Sequence, residues 1–201
     1  QAEADGWVPP EPSLPQTRLL VDSAKSIISH NDSPDLGFDQ SLNPYRGCEH
    51  GCIYCYARPT HAYLGLSPGL DFETQIFAKP DAARLLREEL SKPGYACSTI
   101  ALGTATDAYQ PFERQQKLTR AVLEVLLETR HPVSVVTKSS LVARDLDLWS
   151  ELARLNLAHV AISLTTLNGP LARQLEPRAS APHARLEAIA RLAEAGVPVS
   201  V

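Results

Sequence analysis

Cys48-Glu49-His50-Gly51-Cys52-Ile53-Tyr54-Cys55 lies between Asn43-Pro44-Tyr45-Arg46-Gly47 and Tyr56-Ala57-Arg58, and the reading of the whole chain turns on it. Three of the four cysteines fall within these eight positions, separated by three residues and then by two. A loop so spaced can aim three thiolates at one point, and thiolates select zinc, copper(I) or iron–sulfur clusters. Three ligands leave one place free. On a four-iron cluster that place is an iron without a protein ligand, open to a small molecule. Gly47 and Gly51 permit backbone angles that other residues resist. Arg46 and Arg58 bring positive charge that offsets the thiolates.

Outside the loop, 201 residues with 44% apolar content suit one domain with an ordinary globular core. No run approaches ~18 uninterrupted apolar residues, so no membrane association is expected. The polar, acidic opening Gln1-Ala2-Glu3-Ala4-Asp5-Gly6 does not read as a secretory signal, and the expected compartment is the cytoplasm. Thiols stay reduced there, and clustered cysteines point to metal rather than to disulfides. A net charge of −4 exerts no global pull on nucleic acid, although a local basic groove would still be compatible with it. The sequence contains no methionine and stops at Gly196-Val197-Pro198-Val199-Ser200-Val201, which reads as mid-strand. A chain truncated after about its fifth strand is expected.

Residues 1–38 are rich in Pro, Ser, Asp and Glu and read as an extended N-terminal segment, with Trp7 as a residue that could pin it to the body. Residues 39–201 read as the core domain. A short strand within Gly37–Arg46 leads into the cysteine loop, helical turns occupy 57–64, and Phe72–Phe77 alternates like a strand. A helix runs from Pro80 through Lys92, stopped by Pro93-Gly94. From there strand and helix take turns: strand Thr99–Thr104, helix Arg114–Thr129, strand Val133–Thr137 and helix Leu146–Leu155. Strand Ala158–Leu164, helix His183–Ala195 and strand Val197–Val201 complete the series. Leu118, Val122, Val125 and Leu126 follow helical spacing on the second of these helices. Apolar strands alternating with helices predict an α/β fold with a parallel sheet buried on both faces, either doubly wound and open or closed as a barrel.

The C-x3-C-x2-C spacing with Tyr54 just before the third cysteine resembles that of the radical S-adenosylmethionine (radical SAM) superfamily. The resemblance extends through Ser33–Lys79, Thr106–Glu113, Val136–Ser139, Ile162–Thr165 and Glu176-Pro177-Arg178, and is to the uncharacterised branch related to spore photoproduct lyase. It implies a partial, six-unit (β/α) TIM-like barrel with five of its strands present. It also implies a [4Fe–4S] cluster on Cys48, Cys52 and Cys55, with S-adenosylmethionine chelating the fourth iron. An electron from a flavodoxin- or ferredoxin-type donor would then release a 5′-deoxyadenosyl radical that abstracts hydrogen from a substrate. Damaged nucleic acid is the substrate class suggested by the lyase.

Ligands of parallel α/β folds bind at the C-terminal ends of the strands. The resemblance implies that Gly103, Thr104, Thr106 and Asp107 hold the amino group of the cofactor, although the commoner Gly-Gly-Glu form is absent. It gives Lys138 the carboxylate, Ser163 a hydrogen bond to the cofactor, and the backbone around Tyr54 the adenine. Glu176 and Arg178 follow as a pair that could bind ribose or carboxylate, or tie down their loop. Read blandly, Asp107 caps the following helix, Lys138 snorkels from a strand edge, Ser163 is satisfied by nearby backbone, and Cys97 packs in the core. Two rivals to the enzyme are a Cys3His zinc module completed by His50 or His61, and a cluster-carrying sensor without turnover.

Overall fold

A computed structural model describes residues 16–201. Trp7 and the first fifteen positions lie outside the described residues. The strands are β1 (Arg18–Val21), β2 (Ile28–His30), β3 (Gln40–Leu42), β4 (Tyr45–Arg46), β5 (Gln75–Ala78), β6 (Ile100–Leu102), β7 (Val133–Thr137), β8 (Ala158–Ile162) and β9 (Val199–Ser200). The helices are α1 (Asp71–Thr74), α2 (Ala82–Leu90), α3 (Glu113–Gln116), α4 (Leu118–Glu128), α5 (Leu146–Arg154), α6 (Gly169–Leu175) and α7 (Pro182–Glu194).

The main sheet runs β2-β3-β6-β7-β8-β9, parallel throughout except for β2, which pairs antiparallel with β3. Its parallel strands follow one another in sequence order and never reverse direction across the sheet. Right-handed crossovers therefore deliver the intervening helices to the same face, and the doubly wound alternative, which needs a reversal, does not apply. The parallel α/β sheet is thus as expected, but burial on both faces is not: β7 has Val133, Val135 and Thr137 buried while Val136 is exposed. On the covered face, Leu42, Leu102, Val135, Val160 and Ile162 pack with Leu86, Val122, Leu126, Trp149 and Leu192 in one continuous core.

Register brings the strand ends together. Leu42 pairs with Leu102, Leu102 with Val135, and Thr137 with Ile162, so the loops leaving β3, β6, β7 and β8 emerge side by side. A small second sheet, β1-β5-β4, flanks the first of these loops.

Four local features differ from the sequence expectation. Arg18–Val21 and Ile28–His30, within the segment read as an extension, are strands paired with β5 and β3, because Leu19 finds cover against Tyr45 and Ile76. The Phe72–Phe77 run divides into α1 and β5. The expected Arg114–Thr129 helix breaks at Lys117, whose φ of 53° is left-handed and serves as cap to both α3 and α4. The added helix α6 begins at Asn168, whose side chain accepts from the Leu171 amide at 3.0 Å, an N-cap followed by proline in the first turn.

Below the strand ends, the buried Trp149 indole donates to the Tyr109 hydroxyl at 2.9 Å, and both side chains are fully enclosed. Trp149→Phe loses that bond and leaves a void. It is expected to lower unfolding stability by roughly 2–3 kcal/mol, read as a lower urea midpoint at unchanged m-value.

Candidate functional site

The cysteine loop is held mainly by its backbone. Gly47 and Gly51 adopt φ of 76° and 68°. The Cys48 amide donates to the Phe72 carbonyl at 2.9 Å. Thr106 Oγ1 donates to the Gly47 carbonyl at 2.5 Å, with Gln110 Nε2 at 3.3 Å from the same oxygen, while Gln110 Oε1 accepts from the Glu49 amide at 2.9 Å. From the other side Arg58 donates to the Cys52 carbonyl at 3.0 and 3.1 Å. Arg178 donates to the Glu49 carbonyl and pairs with the mostly buried Glu73 at 2.8 Å. Arg46 is turned outward to Asp22, at 2.6 Å.

So held, Cys48, Cys52 and Cys55 open on a cleft of about 150 Å³. Its opposite wall is Gly103–Asp107 and Val136–Lys138. Gly103 has a φ of 84°, and a Cβ there would stand 2.5 Å from the Val136 carbonyl oxygen, so the wall requires glycine at that point. Asn43 braces the wall: its Nδ2 donates to Thr104 Oγ1 and its Oδ1 accepts from the Ala105 amide, both at 3.0 Å. Tyr56, largely exposed, reaches across and donates to the Thr104 carbonyl.

Burial pushes the Cys52 thiol up to about 12, with the neighbouring Cys48 adding to the effect, and burial raises Cys55 as well. Thiols in such surroundings ionise only when a cationic centre replaces their protons. Three soft donors around a cleft fit an iron–sulfur cluster. Among the described residues, no group of three or more His, Cys, Asp or Glu side chains is drawn close enough to hold a single ion.

Of the histidines considered as a fourth zinc ligand, His50 lines the cleft beside Cys48 and His61 does not line it. His61 is packed edge-on to Phe72 and Phe77, with Nε2 3.0 Å from the Gln75 carbonyl. His50 lies with Nδ1 3.2 Å from Asp107 Oδ2. Burial lowers the affinity of His50 for a proton, but Asp107 and Cys48 outweigh it and the group is raised to about 10. Burial likewise opposes the charge on Asp107, yet His50 and the donors around it hold the carboxyl at about 2.

Those donors occupy Asp107 fully. Oδ1 accepts from the Tyr109 amide at 2.8 Å and from Thr137 Oγ1 at 2.7 Å, and Oδ2 accepts from the Lys138 amide at 2.8 Å. Thr106 is spent on Gly47. Of the residues that the resemblance assigned to the amino group, Gly103 and Thr104 also line the cleft, with Thr104 Oγ1 accepting from Asn43 and the Thr104 carbonyl from Tyr56. Lys138 lines the cleft, its Nζ donating to Ser163 Oγ at 3.0 Å and lying 5.8 Å from the centre of the Tyr54 ring. Glu176 and Arg178 do not line the cleft. Glu176 is buried and accepts from Tyr54, from Thr165 at 2.6 Å and from Arg185 at 2.5 Å. Cys97 is exposed rather than packed in the core. Asn43, Gln110 and Arg185 were not singled out from sequence; each is an ordinary polar residue whose role depends on a partner at least nine positions away. Among the described residues no helix is long and apolar enough to cross a membrane.

A family model described as the Radical SAM superfamily matches residues 42–201. An uncharacterized protein of Mycobacterium tuberculosis is 42% identical over 166 residues, which are 83% of this chain and 49% of that protein. An uncharacterized protein of Methanocaldococcus jannaschii is 29% identical over 179 residues, 89% of this chain and 64% of the relative. The chain thus spans about half the length of its mycobacterial relatives. Among solved structures, spore photoproduct lyase superposes with a TM-score of 0.61 at 20% identity, covering 90% of this chain and 49% of the lyase chain. At that identity the likeness is one of fold.

Proposed function

This chain belongs to the radical SAM superfamily, and on that premise we propose that Cys48, Cys52 and Cys55 hold a [4Fe–4S] cluster and that S-adenosylmethionine binds beside it. Bound together, these groups supply a reductively generated 5′-deoxyadenosyl radical for hydrogen abstraction from a substrate. The observation that carries the reading is the single cleft shared by three thiols, Gly103–Thr104 and the ammonium of Lys138. Lys138 presents the charge that a carboxylate needs, fixed by Ser163. Gly103 and Thr104 offer backbone and hydroxyl acceptors to an amino group, and Asp107 organises the wall between them by binding the Lys138 amide. Tyr54 supports the adenine side. Glu176 and Arg178 act one layer behind, clamping Tyr54 and the cysteine loop.

The one-way strand order supports a partial six-unit barrel, with the exposed face of β7 turned toward its interior. For the substrate we propose a lesion in nucleic acid cleaved by lyase chemistry, by analogy with the fold of spore photoproduct lyase, one structure of which is complexed with dinucleoside spore photoproduct. A flavodoxin- or ferredoxin-type donor, in a cytoplasmic setting, would supply the electron.

Anaerobic reconstitution with iron and sulfide tests the core of this reading. The expected result is about four irons per chain and a reduced-state EPR signal that shifts on adding S-adenosylmethionine. A colourless protein holding one zinc and indifferent to the cofactor would overturn it.

A further inference from the structure

Arg185 stands near the start of α7 and is 1% exposed. A guanidinium so placed is costly unless its donors are matched, and here they are. Nε donates to the Ser180 carbonyl at 2.7 Å, Nη1 to the Ser163 carbonyl at 2.8 Å, and Nη2 to Glu176 Oε2 at 2.5 Å.

Two routes lead from this one side chain to the same ammonium. Through the first, Arg185 holds the backbone of Ser163, whose hydroxyl accepts from Lys138 Nζ at 3.0 Å. Through the second, Arg185 holds Glu176, which accepts the Tyr54 hydroxyl, and the Tyr54 ring faces Lys138 Nζ at 5.8 Å. The contacts close into a ring: Arg185, Glu176, Tyr54, Lys138, Ser163 and back to Arg185. A lysine carries a flexible four-carbon stem whose freedom must be lost before its charge can be placed. A hydroxyl on one side and an aromatic face on the other restrict it in advance.

We infer that Arg185 is a positioning residue that sets the Lys138 ammonium for the cofactor carboxylate, acting through Ser163 and through the Glu176–Tyr54 pair. This rests on the function proposed above. The rival explanation is purely architectural, since the same region also steadies the cysteine loop through the Ile53 amide, which donates to the Leu175 carbonyl at 3.0 Å.

A double-mutant cycle on the anaerobically reconstituted protein separates the two. Arg185→Lys and Lys138→Ala are made singly and together, with iron content and affinity for S-adenosylmethionine as readouts. Tyr54→Phe, at a half-exposed position, repeats the cycle on the second route even where the buried arginine tolerates no change. Each of Arg185→Lys and Tyr54→Phe should keep its iron yet bind the cofactor about 10- to 100-fold more weakly. In the Lys138→Ala background each should cost almost nothing more. Affinity equal to the parent, losses that simply add to that of Lys138→Ala, or iron lost in step with affinity would each overturn the inference. An unaltered protein that takes up iron but ignores S-adenosylmethionine would overturn the functional reading, and this inference with it. That failure is seen without any variant.

Discussion

Cys52→Ala is expected to reduce reconstituted iron from about four per chain to near zero and cofactor cleavage to background, while leaving the fold intact. A four-iron cluster held by three thiolates has no spare protein ligand, and the histidines nearby are engaged with Asp107 and the Gln75 carbonyl. The fold survives because the loop is gripped through main-chain atoms. Arg58 holds the Cys52 carbonyl, Phe72 the Cys48 amide, and Thr106 with Gln110 the Gly47 carbonyl, none of which involves a thiol. The variant should therefore unfold at the same urea concentration as the unaltered apoprotein. Cys97→Ala, at an exposed position away from the cleft, serves as the control and should retain full iron. Iron retained by Cys52→Ala, or lost from Cys97→Ala, would place the cluster elsewhere.

How much of this site could be read from the chain follows from how local each signal is. The cysteine triplet and its glycines are contiguous, and the polar residues ending β6, β7 and β8 follow apolar runs directly, so both were visible. The parallel sheet was visible for the same reason, since alternating strands and helices are a property of neighbouring residues. The supports were not. Arg185 looks like any charged residue on an amphipathic helix, and only the folded chain reveals that it is buried against Glu176 and the Ser163 carbonyl. Asn43, legible as part of the motif, gains its role only when β3 and β6 pair and bring it to Thr104 and Ala105. The break at Lys117 was hidden because helical periodicity runs on through a left-handed residue that is not glycine. Burial of Val136 was overestimated because a β-branched run predicts a strand but not which of its faces the helices will cover.

A second buried network sits beneath the cleft, and Arg144→Met is expected to lower stability by roughly 3–5 kcal/mol, a large part of what a domain of this size possesses. Arg144 bridges two carboxylates that are both fully buried: Glu113, at 2.8 Å, and Asp145, at 2.6 Å. Glu113 also accepts from the Tyr45 hydroxyl at 2.5 Å and from the Thr119 amide at 3.1 Å. Tyr45 immediately precedes the cysteine loop on β4, so the network fixes the loop's entry as well as the join of α3 and α4. Methionine preserves much of the packing but leaves Glu113 with no cation and Asp145 with only Arg120, at 3.0 Å. Uncompensated charge in the interior, rather than lost attraction, sets the size of the effect. The same deletion on the surface should be almost silent. Arg84 contacts Asp81 at 3.3 Å and Glu88 at 2.7 Å, but all three side chains are more than half exposed and solvent screens them. Urea denaturation of Arg144→Met beside Arg84→Ala checks the pair. A loss in Arg144→Met no larger than that in Arg84→Ala would mean that the two buried carboxylates do not depend on their cation.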